Sequence, residues 1–207
     1  MRDPPRDCPR CPRLVAYRLA NRALFPDWFN APVPGFGDPL ARIAIVGLAP
    51  GLRGANRTGR PFTGDFAGLL LYDTLLALGL ATGHYAEAAD DGLVLEDVFV
   101  TNAVRCAPPG NRPTPAEVRA CRPYLEATLA GLPNLKVVVA LGRIAHDAAV
   151  RALGAPPARF PFAHGTVHHL PQGPVLIDSY HCSRLNTNTG VLTADMFRSV
   201  LEQAARA

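Results

Sequence analysis

ARIAIVGLAPGLRGANRTGRPFTGD (41–65) changes character halfway along. Up to Pro50 it is a short apolar run closed by Gly and Pro. Such a run marks a strand buried on both faces, as in a parallel sheet, entering a loop. Residues 47–65 then carry five glycines, three arginines and a single acid, Asp65. Glycine at that density lets a ligand approach the main chain closely. The loop has no lysine, which excludes the phosphate-binding pattern G-x-x-x-x-G-K-[ST], and it does not supply the dinucleotide fingerprint G-x-G-x-x-G.

Outward from this segment, strands and helices alternate. DVFVTNAV (97–104), KVVVALG (136–142) and VLIDSYH (175–181) read as three more strands. Helices are expected from residue 14 toward a loop ending at 30, over 65–79, and after Thr114–Pro115, an N-cap and first helical position. Two more are expected over RIAHDAAVRALG and, capped by Thr193, over TADMFRSVLEQAARA. The economical arrangement is α/β: a three-layer α/β/α sandwich with a central, mainly parallel four-stranded sheet. Residues 1–207 read as a single domain, with an N-terminal cysteine knuckle over 1–13. Sites in such sheets lie beyond the carboxyl ends of the strands. That rule gathers 47–65, 101–112, 142–146 and 179–190 on one edge.

The 207 residues are 48% hydrophobic and 18% charged, enough for a real core. The net charge of +4 suits an anionic partner, and Lys136 is the only lysine among the basic residues. Guanidinium groups fork onto phosphates. No apolar stretch reaches membrane-span length, and GLLLYDTLLALGLA (68–81) is broken by Asp73. A soluble cytoplasmic protein with no membrane contact is expected. The cysteines fall as Cys8-x2-Cys11 and Cys106-x14-Cys121, with Cys182 apart. Two thiol pairs in a reducing compartment suggest a four-thiolate metal site, for which zinc and iron–sulfur both fit the spacing. A zinc deaminase is excluded, because no H-x-E precedes the first pair.

Two loops hold the chemistry-bearing side chains. In the first, Arg53, Arg57 and Arg60 accompany the glycines. Phe62 is either a stacking platform or core, and Asp65 is either a pocket carboxylate or the N-cap of the next helix. The second, DSYHCSRLNTNTG (178–190), holds His181 at a strand end. Arg184, Asn186, Thr187, Asn188 and Thr189 are suited to a phosphate backbone. Leu185 is either a wedge into a base stack or a buried anchor.

Taken together, Cys8-x2-Cys11, GLAPGLRGANRTGRPFTGD, TNAVRCAPPGN with Cys121 beyond it, and YHCSRLNTNTG resemble the uracil-DNA glycosylase superfamily. The nearest likeness is to its type-B enzymes, family 5. The cysteine pattern alone is shared with the type-A enzymes of family 4. The resemblance implies a [4Fe-4S] cluster on Cys8, Cys11, Cys106 and Cys121. It implies hydrolysis of the N-glycosidic bond of a deaminated base in DNA, with Asp65, His181 and Asn102 as catalytic residues. Gly47, Ala49, Pro50, Gly51, Phe62 and Asn102 would hold the base, and Arg57, Arg60, Ser183, Arg184, Leu185 and Asn186 the DNA. The implied partner is double-stranded DNA, and single-stranded DNA as well, met by a monomer. Uracil is the expected base, with hypoxanthine and xanthine as further substrates. Gly47-Leu48-Ala49-Pro50 departs from relatives that place a water-orienting side chain here, and Cys182 stands where a proline is common. The first departure leaves two mechanisms open, a dissociative one and one in which Asp65 handles the water. It also keeps open a non-catalytic iron–sulfur protein that only binds the lesion. A nucleotide-binding α/β protein with structural zinc is a third reading.

Overall fold

The computed structural model describes residues 3–171 and 173–207. The four expected strands are present as β2 (Ile43–Gly47), β5 (Val98–Asn102), β6 (Val137–Leu141) and β8 (Val175–Ser179). They pair in parallel in the order β5-β2-β6-β8. Two short strands extend the sheet antiparallel at its edges. β1 (Phe36–Gly37) pairs with β5, and β7 (Val167–His169) pairs with β8. The sheet is therefore six-stranded and mixed, which corrects the expectation of four strands. Two or three residues are too few to show a period of two, so neither edge strand leaves a pattern in the sequence.

Alternation within the central strands builds two cores. Ile43 and Ile45 of β2 join Val98, Val100, Val137, Val139 and Ile177 on one face. That face is covered by α3 (Phe66–Ala77) and α7 (Ala194–Arg206). Ala44 and Val46 join Phe99, Val138, Ala140 and Leu176 on the other, under α4 (Pro115–Ala130) and α5 (Arg143–Ala152). All five residues of β2 are buried, as are all five of β5 and of β6. The continuous apolar runs follow from that burial.

Local chemistry sets the helix starts. Thr114 accepts from the Glu117 N–H while the Glu117 carboxylate accepts from the Thr114 N–H, a full capping box. Thr193 caps α7 through the Met196 N–H. α1 (Pro12–Leu24) begins at its proline and stops before Phe25, whose ring stacks on Trp28 at 4.0 Å. Residues 25–30 thus form a turn. α2 (Ala55–Thr58) and α6 (Arg184–Asn188) are single turns inside the two glycine-rich and polar loops. β3 (Ala81–Thr82) and β4 (Val94–Leu95) form a separate two-stranded ribbon. Among the described residues no helix is long and apolar enough to cross a membrane.

A buried polar clip joins α5 to the far half of the sheet. His146 Nδ1 lies 2.7 Å from Asp178 Oδ1, and His146 Nε2 lies 2.7 Å from the Phe160 carbonyl. His168 Nε2 lies 2.8 Å from Asp178 Oδ2, which also accepts from the Ala163 N–H. Both nitrogens of His146 face oxygen, so the state that satisfies both is an imidazolium paired with a carboxylate. These spacings are shorter than the roughly 3.3 Å between two donors bound tetrahedrally to zinc. The set is hydrogen-bonded, not metal-shaped. Burial opposes charge on His146, and the Asp178 hydrogen bond and charge outweigh it, so its pKa is raised. A raised histidine pKa stabilises the fold fully below the unfolded value and is lost as pH rises through the folded one. Stability is expected to fall as pH rises above the ordinary histidine value of about 6.5, read as a declining urea midpoint. Asp178→Asn is expected to cost about 3–5 kcal/mol and to flatten that slope, because it strands the buried imidazolium.

Candidate functional site

The carboxyl ends of β2 and β5 lie side by side, with Gly47 directly opposite Asn102. A Cβ at position 47 would stand 2.4 Å from Phe62 Cζ and 2.5 Å from Asn102 Oδ1. Glycine is required there because an aromatic ring and an amide both close on its α-carbon. The 48–65 loop then crosses the strand ends and returns to α3. Asp65 caps α3, accepting from the Gly68 N–H at 3.3 Å. A Cβ at Gly54 would meet Asp65 Oδ2 at 2.5 Å, so the glycine-rich loop is folded tightly onto this carboxylate.

Ala49, Pro50, Gly51, Phe62, Asp65, Ala67, Asn102 and His181 surround one pocket of about 240 Å³. The structure therefore unites Asp65, His181 and Asn102 with four of the five other expected base-binding residues. The fifth, Gly47, does not line the pocket and packs instead against Phe62 and Asn102, which do. Phe62 is only 6% exposed and faces the His181 ring, with centroids 6.1 Å apart and planes 26° from parallel. It is core and pocket wall at once. Asp65 likewise caps a helix and lines the pocket. Burial raises its pKa, against the lowering effect of the helix N–H groups it receives. His181 is pushed down to about 4 by burial, so its ring is neutral at pH 7. Its buried Nδ1 has no hydrogen-bond partner among the described residues. Buried polar atoms are rarely left so, and this one belongs to a residue lining the pocket.

The pocket opens into a wider cleft of about 1400 Å³ lined by Leu48, Leu52, Arg53, Pro108, Asn111 and Arg184, among others. Leu48, Leu52, Pro108 and Asn111 lie within segments 47–65 and 101–112, expected at this edge, but their residue types do not mark them individually. At its rim, Ser183 caps α6 by accepting from the Asn186 N–H, and Asn186 Nδ2 donates to the His181 carbonyl at 2.8 Å. Thr187 and Thr189 bond to main-chain carbonyls of the same turn. Arg184 lies over the Phe66 ring at 5.2 Å. Leu185 is 71% exposed, which settles it as a projecting tip and not a buried anchor. Arg57 is exposed, and its Nε donates to the carbonyl of Arg53, a residue that lines the cleft. Arg60 is not on this surface. Its guanidinium is buried and forks onto Asp91 at 2.7 Å through both nitrogens. Cys182 is fully buried, with its thiol donating to the Ala67 carbonyl from the core side.

The metal expectation is corrected. Cys8, Cys11, Cys106 and Cys121 do border one narrow cavity, with Leu14, Arg18, Val104 and Tyr124. Their sulfurs, however, do not gather into a ligand set. Among the described residues, the only group of three or more His, Cys, Asp or Glu with ligand atoms all within 4.8 Å of one another is His146, His168 and Asp178. The thiols are engaged separately. Cys121 Sγ accepts from the Arg105 N–H at 3.3 Å, Cys106 Sγ from Arg18 Nη1 at 3.8 Å, and Cys8 Sγ lies 3.8 Å from Tyr124 Oη. The [4Fe-4S] cluster, and metal binding by these cysteines, is withdrawn. Ion pairs hold the N-terminal knuckle instead: Asp3 with buried Arg105 at 2.9 Å, Asp7 with Arg22 at 2.6 Å, and Arg13 with Glu117 at 2.7 Å.

Residues 34–205 match the family described as the Uracil DNA glycosylase superfamily. The chain is similar to the type-5 uracil-DNA glycosylase of Thermus thermophilus, 51% identical over 205 residues, covering 96% of this chain and 93% of that protein. It is similar to the type-5 uracil-DNA glycosylase of Pyrobaculum aerophilum, 44% identical over 203 residues, covering 96% and 88%. A type-4 uracil-DNA glycosylase of Archaeoglobus fulgidus is 44% identical over 115 residues, covering 55% and 49%.

The double duty of Asp65 is separable. Asp65→Ala is expected to cost about 1 kcal/mol of folding stability through loss of the cap, and Asp65→Asn less. Denaturant titration of the two variants checks this, and equal losses would remove the cap from the account.

Proposed function

The chain belongs to the uracil-DNA glycosylase superfamily, and we propose that it acts as a type-5 uracil-DNA glycosylase, hydrolysing the N-glycosidic bond of uracil in DNA and leaving an abasic site. The observation that carries this reading is the small pocket. An aromatic face, an amide, an uncharged imidazole and a carboxylate converge there beside a wider cleft. A base inside a duplex is out of reach, so it must leave the stack to enter such a pocket. Phe62 offers the face on which it stacks. The Asn102 amide both donates and accepts, as the edge of uracil requires.

Bond cleavage leaves negative charge on the base. Neutral His181 donates a hydrogen bond to it, together with main-chain N–H groups of the 47–53 loop, in a site where burial strengthens such bonds. Water adds to the sugar carbon, and its proton passes to a base. Gly47-Leu48-Ala49-Pro50 supplies no side chain for that task. Asp65 is the carboxylate in the pocket, and its raised pKa makes it a better proton acceptor than an exposed aspartate. The weak provision for water favours a bond that is largely broken before water adds.

The finer reading follows from the cleft. Arg57 and Arg184 contact phosphates, Ser183 and Asn186 set the tip, and Leu185 enters the gap left by the flipped base. Arg60 is excluded from this set by its burial. Both double- and single-stranded DNA are acted on. A pocket without an acid in its first turn also takes hypoxanthine and xanthine. The non-catalytic iron–sulfur reading falls with the cluster.

The test is strand cleavage after alkali on labelled duplexes carrying one uracil or one hypoxanthine. Wild type is expected to cleave both. Asp65→Ala is expected to lose about 100-fold or more, and His181→Ala about 100- to 1000-fold. Uracil release without hypoxanthine release would narrow the substrate to uracil, and no release of either by folded protein would overturn the activity. The rate is further expected to decline as acid protonates Asp65, with the midpoint above the ordinary carboxylate value of about 4. That limb should vanish from the residual rate of Asp65→Ala.

A further inference from the structure

Phe62 has φ +54°. A bulky aromatic rarely adopts that backbone, which is strained and persists only where neighbours enforce it. The neighbours are identifiable. Tyr72 Oη donates to the Pro61 carbonyl at 2.5 Å, and Tyr85 Oη donates to the Phe62 carbonyl at 3.2 Å. The Gly64 N–H donates in turn to Tyr85 Oη at 3.4 Å. The carbonyls on both sides of the strained residue are thus held by phenols.

Behind the phenols stands a buried charge pair. The Arg60 guanidinium lies 5.0, 5.6 and 5.7 Å from the rings of Phe36, Tyr72 and Tyr85. It forks onto Asp91, and its Nε donates to Thr63 Oγ1 at 2.7 Å. Asp91 is oriented by the N–H groups of Ala86 and Leu93. The side chains of the pair are 5% and 1% exposed. A buried ion pair is seldom worth its desolvation in stability alone, and its best-supported use is to fix one conformation. Tyr85 and Asp91 lie in the connection from β3 to β4, and neither lines the pocket.

We propose that Arg60, Asp91, Tyr72 and Tyr85 are positioning residues for the base pocket. Delivered partly by the β3–β4 ribbon, they lock Phe62 in its left-handed backbone so that its ring keeps its place in the pocket wall beside His181. This rests on the reading of Phe62 as the stacking face.

Tyr85→Phe removes one hydroxyl and both its hydrogen bonds without opening a cavity, and Asp91→Asn tests the pair behind it. Single-turnover release of uracil is measured with saturating folded enzyme, beside affinity for undamaged duplex. Tyr85→Phe is expected to slow release about three- to tenfold, with affinity for undamaged duplex unchanged. In a Phe62→Ala background the same substitution is expected to change nothing further, since the clamp acts only through that ring. A purely structural role would lower the melting temperature and leave the rate of the folded enzyme at the wild-type value, and that result overturns the proposal. So does an undiminished Tyr85→Phe effect without the Phe62 ring. Wild type that releases no uracil would instead overturn the activity, and the positioning role with it. If Asp91→Asn fails to fold, Tyr85→Phe alone decides.

Discussion

A strand buried on both faces offers no side chain to solvent, so a sheet built from such strands can do chemistry only past their ends. β2 is in that position, with β5 on one side and β6 on the other. The backbone must turn out of the sheet at Gly47, in a place already claimed by the Asn102 amide and the Phe62 ring. Everything else at the site answers to that crowding. The loop is glycine-rich because Asp65 packs against it from the other side. Asp65 is held by the first turn of α3, and α3 in turn covers the face of the sheet through Leu71 and Leu75. Core packing and pocket geometry are the same set of contacts seen from two sides.

The electrostatics follow from the same burial. Enclosure moves the two ionisable groups in the pocket in opposite directions, the carboxyl upward and the imidazole downward. Both shifts disfavour charge. A pocket with little fixed charge of its own admits a neutral, planar base and meets the charge that develops on it with hydrogen-bond donors. Elsewhere the protein buries charge in two closed pairs, His146 with Asp178 and Arg60 with Asp91, along with the partly paired Arg105. Those pairs have their acceptors and donors supplied and are shut away from the cleft.

What could be read from the sequence divides by distance along the chain. The buried parallel strands announced themselves as apolar runs, and Thr114 and Thr193 as caps, because those signals are complete within a few residues. Phe62 and Asp65 were legible only as alternatives, core or stacking face, cap or carboxylate, and the fold gives each both roles. The edge strands were too short to leave a period. Arg60 looked like its neighbours Arg53 and Arg57, and only a partner 31 residues away distinguishes it. His146, His168 and Asp178 carry no spacing rule at all. The cysteines misled in the opposite sense. Their spacing suggested ligands, while in the structure the sulfurs of Cys121, Cys106 and Cys8 bond individually to a main-chain N–H, an arginine and a tyrosine.

The single turn of α6 joins two things that a flexible loop would keep apart. Its tip carries Leu185 into solvent, and the residue after it, Asn186, grips the carbonyl of His181. Five residues stiffened by their own side-chain bonds tie the exposed tip to the main chain of the pocket histidine. The outermost side chain of the cleft and the backbone beneath the imidazole belong to one short hydrogen-bonded unit.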